Sequence, residues 1–76
     1  MNNTIDIVAG VNAAAAAAVK HYRHLEAERD RTWRALLAVD QRRKGWRELR
    51  ETRMDAHIEA EKAVEQYLID LGLAKD

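Results

Sequence analysis

Cysteine, proline, phenylalanine and serine are all missing from this 76-residue chain, and glycine occurs three times. Without cysteine there is no disulfide, no thiolate metal site and no thiol nucleophile. Without serine or a glycine-rich loop, serine-nucleophile and phosphate-cradling arrangements lack their parts. No long apolar run is present either: Ala13–Val19 is the longest, against the roughly 20 residues a membrane span needs. The opening Met1–Ile7 lacks the cationic start of a signal peptide. A non-enzymatic protein of the cytoplasm, away from membranes, is the expectation.

What remains is helix-forming material. Hydrophobic residues make up 47% of the chain and charged residues 34%, the balance of a long helix or coiled coil. At this length the chain forms one helical domain, 1–76, with little room for a large core of its own. Asn3 or Thr4 can cap a first helix, and Asp6 suits the positive end of its dipole. From there a 3-4 spacing runs through Val8, Val11, Ala15, Ala18, Tyr22, Leu25, Arg29, Thr32, Leu36 and Val39. Only Arg29 and Thr32 break it. Gly10 and Asn12 are poor interior helix residues, so a short extra N-terminal helix ending near Gly10 is the alternative. The six alanines at 13–18 favour helix and leave space for large residues opposite.

Gln41–Trp46 divides this pattern from a second one. The first helix is placed at about 4–40, a turn at about 41–45 and a second helix at about 46–71. Trp46, Leu49, Ala56, Ala60, Ala63, Val64, Tyr67 and Leu71 mark one face of the second helix. Gly72 stands where a left-handed residue closes a helix, with Leu73 positioned to touch Leu68. The fold expected is all-α, an antiparallel two-helix hairpin in which residue i faces a residue near 87 − i. That register sets Trp33 against Met54, and Ala15 and Ala18 against Leu68–Leu71. An uninterrupted rod is the rival, because a single mid-helix glycine costs only about 1 kcal/mol.

Met54, Ile58, Leu68 and Ile69 form a second apolar face that one partner helix cannot cover. Small scaffolds without disulfides or metals gain stability by association, so a dimeric helical bundle is expected, with these four residues at the oligomer interface. Arg29, Arg53 and His57 fall on or beside the core stripe. They are expected to meet acids such as Glu26, Asp30 or Asp55 and to set register more than strength.

Charge is segregated along the chain although it cancels overall. Residues 20–53 carry 11 Lys/Arg against 6 Asp/Glu, and residues 54–76 carry 2 against 6. Arg42, Arg43, Lys44, Trp46, Arg47 and Arg50 cluster at the turn and form the expected partner-binding site. Arg and Trp are enriched at protein–protein hot spots, and the zero net charge favours a larger acidic protein over nucleic acid. Nucleic acid bound through the same turn is the alternative. His21, His24 and Glu28, or His57 with Glu61, have helical spacing that a metal could use, but the di-iron bundle signature is Glu-x-x-His. No metal, cofactor or catalytic residue is assigned. In size, lack of cysteine and Ala/Arg-rich helical make-up, the chain resembles small accessory proteins of bacteria and bacteriophages, including inhibitors of host defence or regulation. That resemblance implies a protein that works by occupying another protein's surface.

Overall fold

Two helices, α1 (Asn3–Leu37) and α2 (Trp46–Asp70), run back on one another in a computed structural model that describes residues 3–75, with side chains from 9 onward. The chain is all-helical, with no strand among the described residues. α1 passes through Gly10 and Asn12 without a break, so the N-terminal stretch is not a separate helix. The cap expected from Asn3 or Thr4 lies outside the described side chains.

From Ala18 onward the 3-4 stripe of α1 is the seam, whereas Val11 and Ala15 are exposed. Thr32 and Leu36 are buried, while Ala18, Tyr22, Leu25, Arg29 and Val39 are half-buried. On α2 the buried positions are His57, Ala60 and Val64, with Arg53 and Tyr67 beside them. Leu49, Ala56, Ala63 and Leu71, expected on this face, are exposed instead. The correction has a geometric cause. A strict seven-residue repeat through 46, 53, 60 and 67, with 57 and 64 between, keeps one face on a partner helix in left-handed packing. Arg53 and His57 obey that repeat and Leu49 does not, so position overrides hydrophobicity.

Cross-helix contacts fix the register to within about one helical turn of the expected pairing. Trp33 stacks against His57, ring centroids 5.1 Å apart, rather than facing Met54. The last cross-helix hydrogen bond runs from the Tyr67 hydroxyl to the Ala18 carbonyl, 3.3 Å. Ala15 is exposed and does not pack against Leu68–Leu71. With 35 residues in α1 and 25 in α2, the first helix outruns its partner, and residues 9–17 are exposed throughout.

Both helices end for identifiable reasons. α1 stops at Leu37, short of residue 40. The Ala38 N–H still reaches the Arg34 carbonyl at 3.0 Å, but the Val39 N–H turns to Leu36. That leaves the Ala35 carbonyl to Arg53, whose Nη1 donates to it at 2.6 Å. A guanidinium on an orphan carbonyl at the negative end of a helix is a charge-assisted cap. Asp40 then accepts the Arg42 N–H at 2.9 Å, an Asx-type turn that a helix cannot accommodate. Residues 38–45 therefore connect the helices, a longer link than 41–45. Gly45 enters α2 at φ 78 and Gly72 leaves it at φ 76. At the second glycine, Leu73 N–H donates to Leu68 O and Gly72 N–H to Ile69 O, both at 2.9 Å, the paired bonds of a Schellman motif.

The result is a slab of 69 × 22 × 11 Å. Its radius of gyration, 18.6 Å, compares with about 11 Å for a compact domain of this length. The surface is correspondingly large at 6471 Å², where a compact monomer of this mass exposes about 4,700 Å². Among the described residues no side chain is fully buried.

Candidate functional site

The turn is built so that its cations stay in water. Asp40 engages Arg42 through both the backbone N–H and the Arg42 Nε, the latter at 3.2 Å. These bonds, the backbone one foremost, hold the Asp40 carboxyl below its ordinary range. With the loop pinned from inside, Arg42, Arg43 and Lys44 project from it, all exposed. Trp46, at the first position of α2, is half-buried, and Arg47 lays its guanidinium 5.3 Å from the Trp46 ring centroid, within cation–π range. Arg50 is exposed one turn on. All six residues assigned to partner binding thus lie at one end of the slab. Gln41–Glu48 line one shallow groove there, and Trp46, Arg47, Arg50, Glu51, Met54 and Asp55 line another.

The four residues assigned to an oligomer interface share α2 but differ in exposure. Met54, Leu68 and Ile69 are half-buried, and Ile58 is exposed. Leu68 lines an open groove with Val64 and Trp33, and Asp30, Glu61 and Glu65 are on its walls. Trp33 is 47% exposed and Leu37 65%, so α1 adds its own apolar side chains to the surface.

A polar layer at the centre of the seam was visible in the sequence as Arg29, Thr32, Arg53 and His57 falling on or beside the core stripe. His57, nearly closed off from solvent, has Nδ1 at 3.0 Å from Thr32 Oγ1 and Nε2 at 2.7 Å from Glu61 Oε1. Thr32 Oγ1 also lies 2.9 Å from the Arg29 carbonyl. Its one hydroxyl proton serves Arg29 when His57 Nδ1 carries hydrogen, and serves Nδ1 when it does not. No buried side-chain nitrogen or oxygen among the described residues lacks a partner. Instead of an acid, Arg53 meets a backbone carbonyl. Arg29 reaches Glu26 at 3.7 Å and Asp30 at 3.9 Å along its own helix, not across the interface.

Of the residues weighed as metal ligands, His57 and Glu61 meet only each other, and His21, His24 and Glu28 are dispersed. His21 sets its ring edge-on to Tyr67, centroids 4.6 Å apart, and His24 is exposed. Glu28 is engaged by Arg31, whose hydrogen bond holds its carboxyl below the ordinary range. Among the described residues no three His, Asp or Glu side chains converge. Among the described residues no helix is long and apolar enough to cross a membrane. No family model, curated protein or solved structure matches the chain.

Proposed function

We propose that this protein is a non-enzymatic interaction module of the cytoplasm. It self-associates as a homodimeric helical bundle and binds an acidic site on a larger protein through its basic Arg/Trp tip. It belongs functionally with small bacterial or phage accessory proteins that inhibit or modulate a larger complex. One observation carries the reading: five exposed cations and a half-buried indole gather on the loop and the start of α2, and the loop is held in place by its own hydrogen bonds. A fixed loop gives up little conformational entropy on binding, and a concentrated charge speeds encounter. Self-association is supported by the unburied surface. The chain exposes about 1,700 Å² more than a compact monomer of its mass, well above the roughly 800 Å² that each partner contributes to a standard interface.

The test compares the parent with Arg43→Ala/Lys44→Ala/Arg47→Ala in affinity capture from the source lysate, with and without nuclease. A nuclease-resistant protein that the parent retains and the triple variant loses supports the reading. Capture abolished by nuclease moves the assignment to nucleic acid, and equal capture by both proteins removes the tip from it.

A further inference from the structure

α2 carries a second stripe parallel to the seam. Arg47, Met54, Glu61 and Leu68 follow one another at seven-residue spacing, with Ile58 and Glu65 between them. The structure turns this stripe outward: Arg47 and Met54 line one open groove, and Glu61, Glu65 and Leu68 line another. A seven-residue repeat is the signature of a surface made for a second helix. The seam to α1 uses a different repeat; α1 reaches this one through Arg29, Asp30 and Trp33 on the wall of the second groove, and Met54 and Leu68 stay half-buried.

Its charges say what partner fits. The end near the turn is basic at Arg47 and the far end is acidic at Glu61 and Glu65, with Met54 and Ile58 between. Arg47 and Glu61 stand seven residues to either side of Met54. A twofold axis at Met54 therefore brings each Arg47 opposite Glu61 of the second copy, with Glu65 one turn further within reach of the same end. Parallel pairing would stack Arg47 on Arg47 and Glu61 on Glu61, so the charges select the antiparallel arrangement. Glu61 gives one oxygen to His57 and keeps the other for the incoming guanidinium. Glu65 is exposed, with no ion pair among the described residues.

We propose that this stripe is a self-recognition surface on which two copies pair antiparallel about Met54, Arg47 of each lying on Glu61 and Glu65 of the other. The proposal rests on the self-association reading and gives it a surface, an orientation and a register. By the same register position 43 falls opposite Glu65 of the other copy, so Arg43 joins Arg47 at the pairing, and Arg42 and Lys44, both exposed on the loop, are the tip cations left for a further protein.

The chain has no cysteine, so one introduced thiol reports one position. Met54→Cys is expected to oxidise to a covalent dimer with unchanged helical circular dichroism, because a twofold axis brings its two Cα atoms within the roughly 7 Å a disulfide spans. Gln66→Cys, on another face of α2, is expected to stay monomeric on denaturing gels. By sedimentation, Arg47→Glu should weaken association about tenfold or more, and adding Glu65→Arg in the same chain should restore it toward the parent. A parent that sediments as a dimer while Met54→Cys stays unlinked, or Arg47→Glu associates normally, overturns this surface and leaves self-association standing. A parent that is monomeric at about 100 μM, a weak-binding regime, overturns both.

Discussion

Thr32 and His57 hold positions in the seam where an apolar pair would pack with less risk, and the cost of separating them follows from their burial. Thr32→Val keeps shape but leaves His57 Nδ1 facing a methyl group. An unsatisfied buried nitrogen costs about 1–3 kcal/mol, which urea denaturation at fixed protein concentration would register. Replacing both partners, Thr32→Val with His57→Leu, should recover most of that loss, because no polar group is then stranded. Arg53 behaves differently from an ion-pair residue. Had it met a carboxylate across the interface, Arg53→Leu would be neutral or stabilising. Because it caps the Ala35 carbonyl, the substitution should instead lower stability by about 1.5–3 kcal/mol, the range for hydrogen bonds to charged groups. Asp40 supplies a pH dependence of definite sign. Its folded-state value is lowered, so its stabilising effect is present above the ordinary carboxylate range and is lost as pH falls through the lowered value. Asp40→Asn should flatten the acid limb of a stability–pH profile by lowering the neutral plateau toward the acid value, because the carboxylate's contribution is the one removed.

At the scale of the helices, the three glycines divide by sign. Gly72 sits at φ 76 and nothing approaches within 4 Å of where its Cβ would lie, so Gly72→Ala costs only the left-handed backbone, about 1–2 kcal/mol. Gly10 lies inside α1 with equally open surroundings, and there alanine should raise helicity and stability by about 0.5–1 kcal/mol. Thermal melts of the two variants should move in opposite directions. Much of this architecture was legible in residue spacing. The α1 stripe, the break near Gln41 and the glycine closure at 72 are local signals, and the structure contains each of them. The face of α2 was misread because hydrophobicity pointed to Leu49 and Ala56. The seam instead follows a repeat that admits Arg53 and His57, and only partners on α1, the Ala35 carbonyl and the Thr32 hydroxyl, make those residues acceptable there. The early stop of α1 was hidden for the same reason, since Arg53 caps it from 18 residues away. The basic tip was readable as composition. The loop geometry that fixes it, Asp40 folded onto Arg42, was not.

For the molecule as a whole, the two faces of α2 are answerable to different measurements. Ile58→Glu with Leu68→Glu should dissociate the proposed assembly, since each apolar side chain left unburied forfeits about 1.5–3 kcal/mol, and sedimentation would show it directly. The tip is expected to respond to salt more than to temperature, because exposed charges add little to folding while their attraction for a partner is screened over about 10 Å at 0.1 M.

The hairpin is closed at one end and open at the other, and this asymmetry gives its motions a direction. Beside the loop, Arg53 clamps the last turn of α1, and next to it Leu36, Thr32, His57, Ala60 and Val64 are the most enclosed residues of the chain. At the far end a single 3.3 Å bond from Tyr67 to Ala18 is the last hydrogen-bonded tie between the helices, and residues 9–17 continue past it exposed. Opening should therefore propagate like a zip, from Ala18 and Tyr67 toward the loop and seldom the reverse. Amide hydrogen exchange should report it as a gradient, fastest in residues 9–17, intermediate around Tyr22 and Val64, and slowest from Thr32 to Leu36 and across His57. Helices that part at the open end leave the cationic loop assembled, so the surface proposed to meet a partner persists through the commonest excursions of the chain.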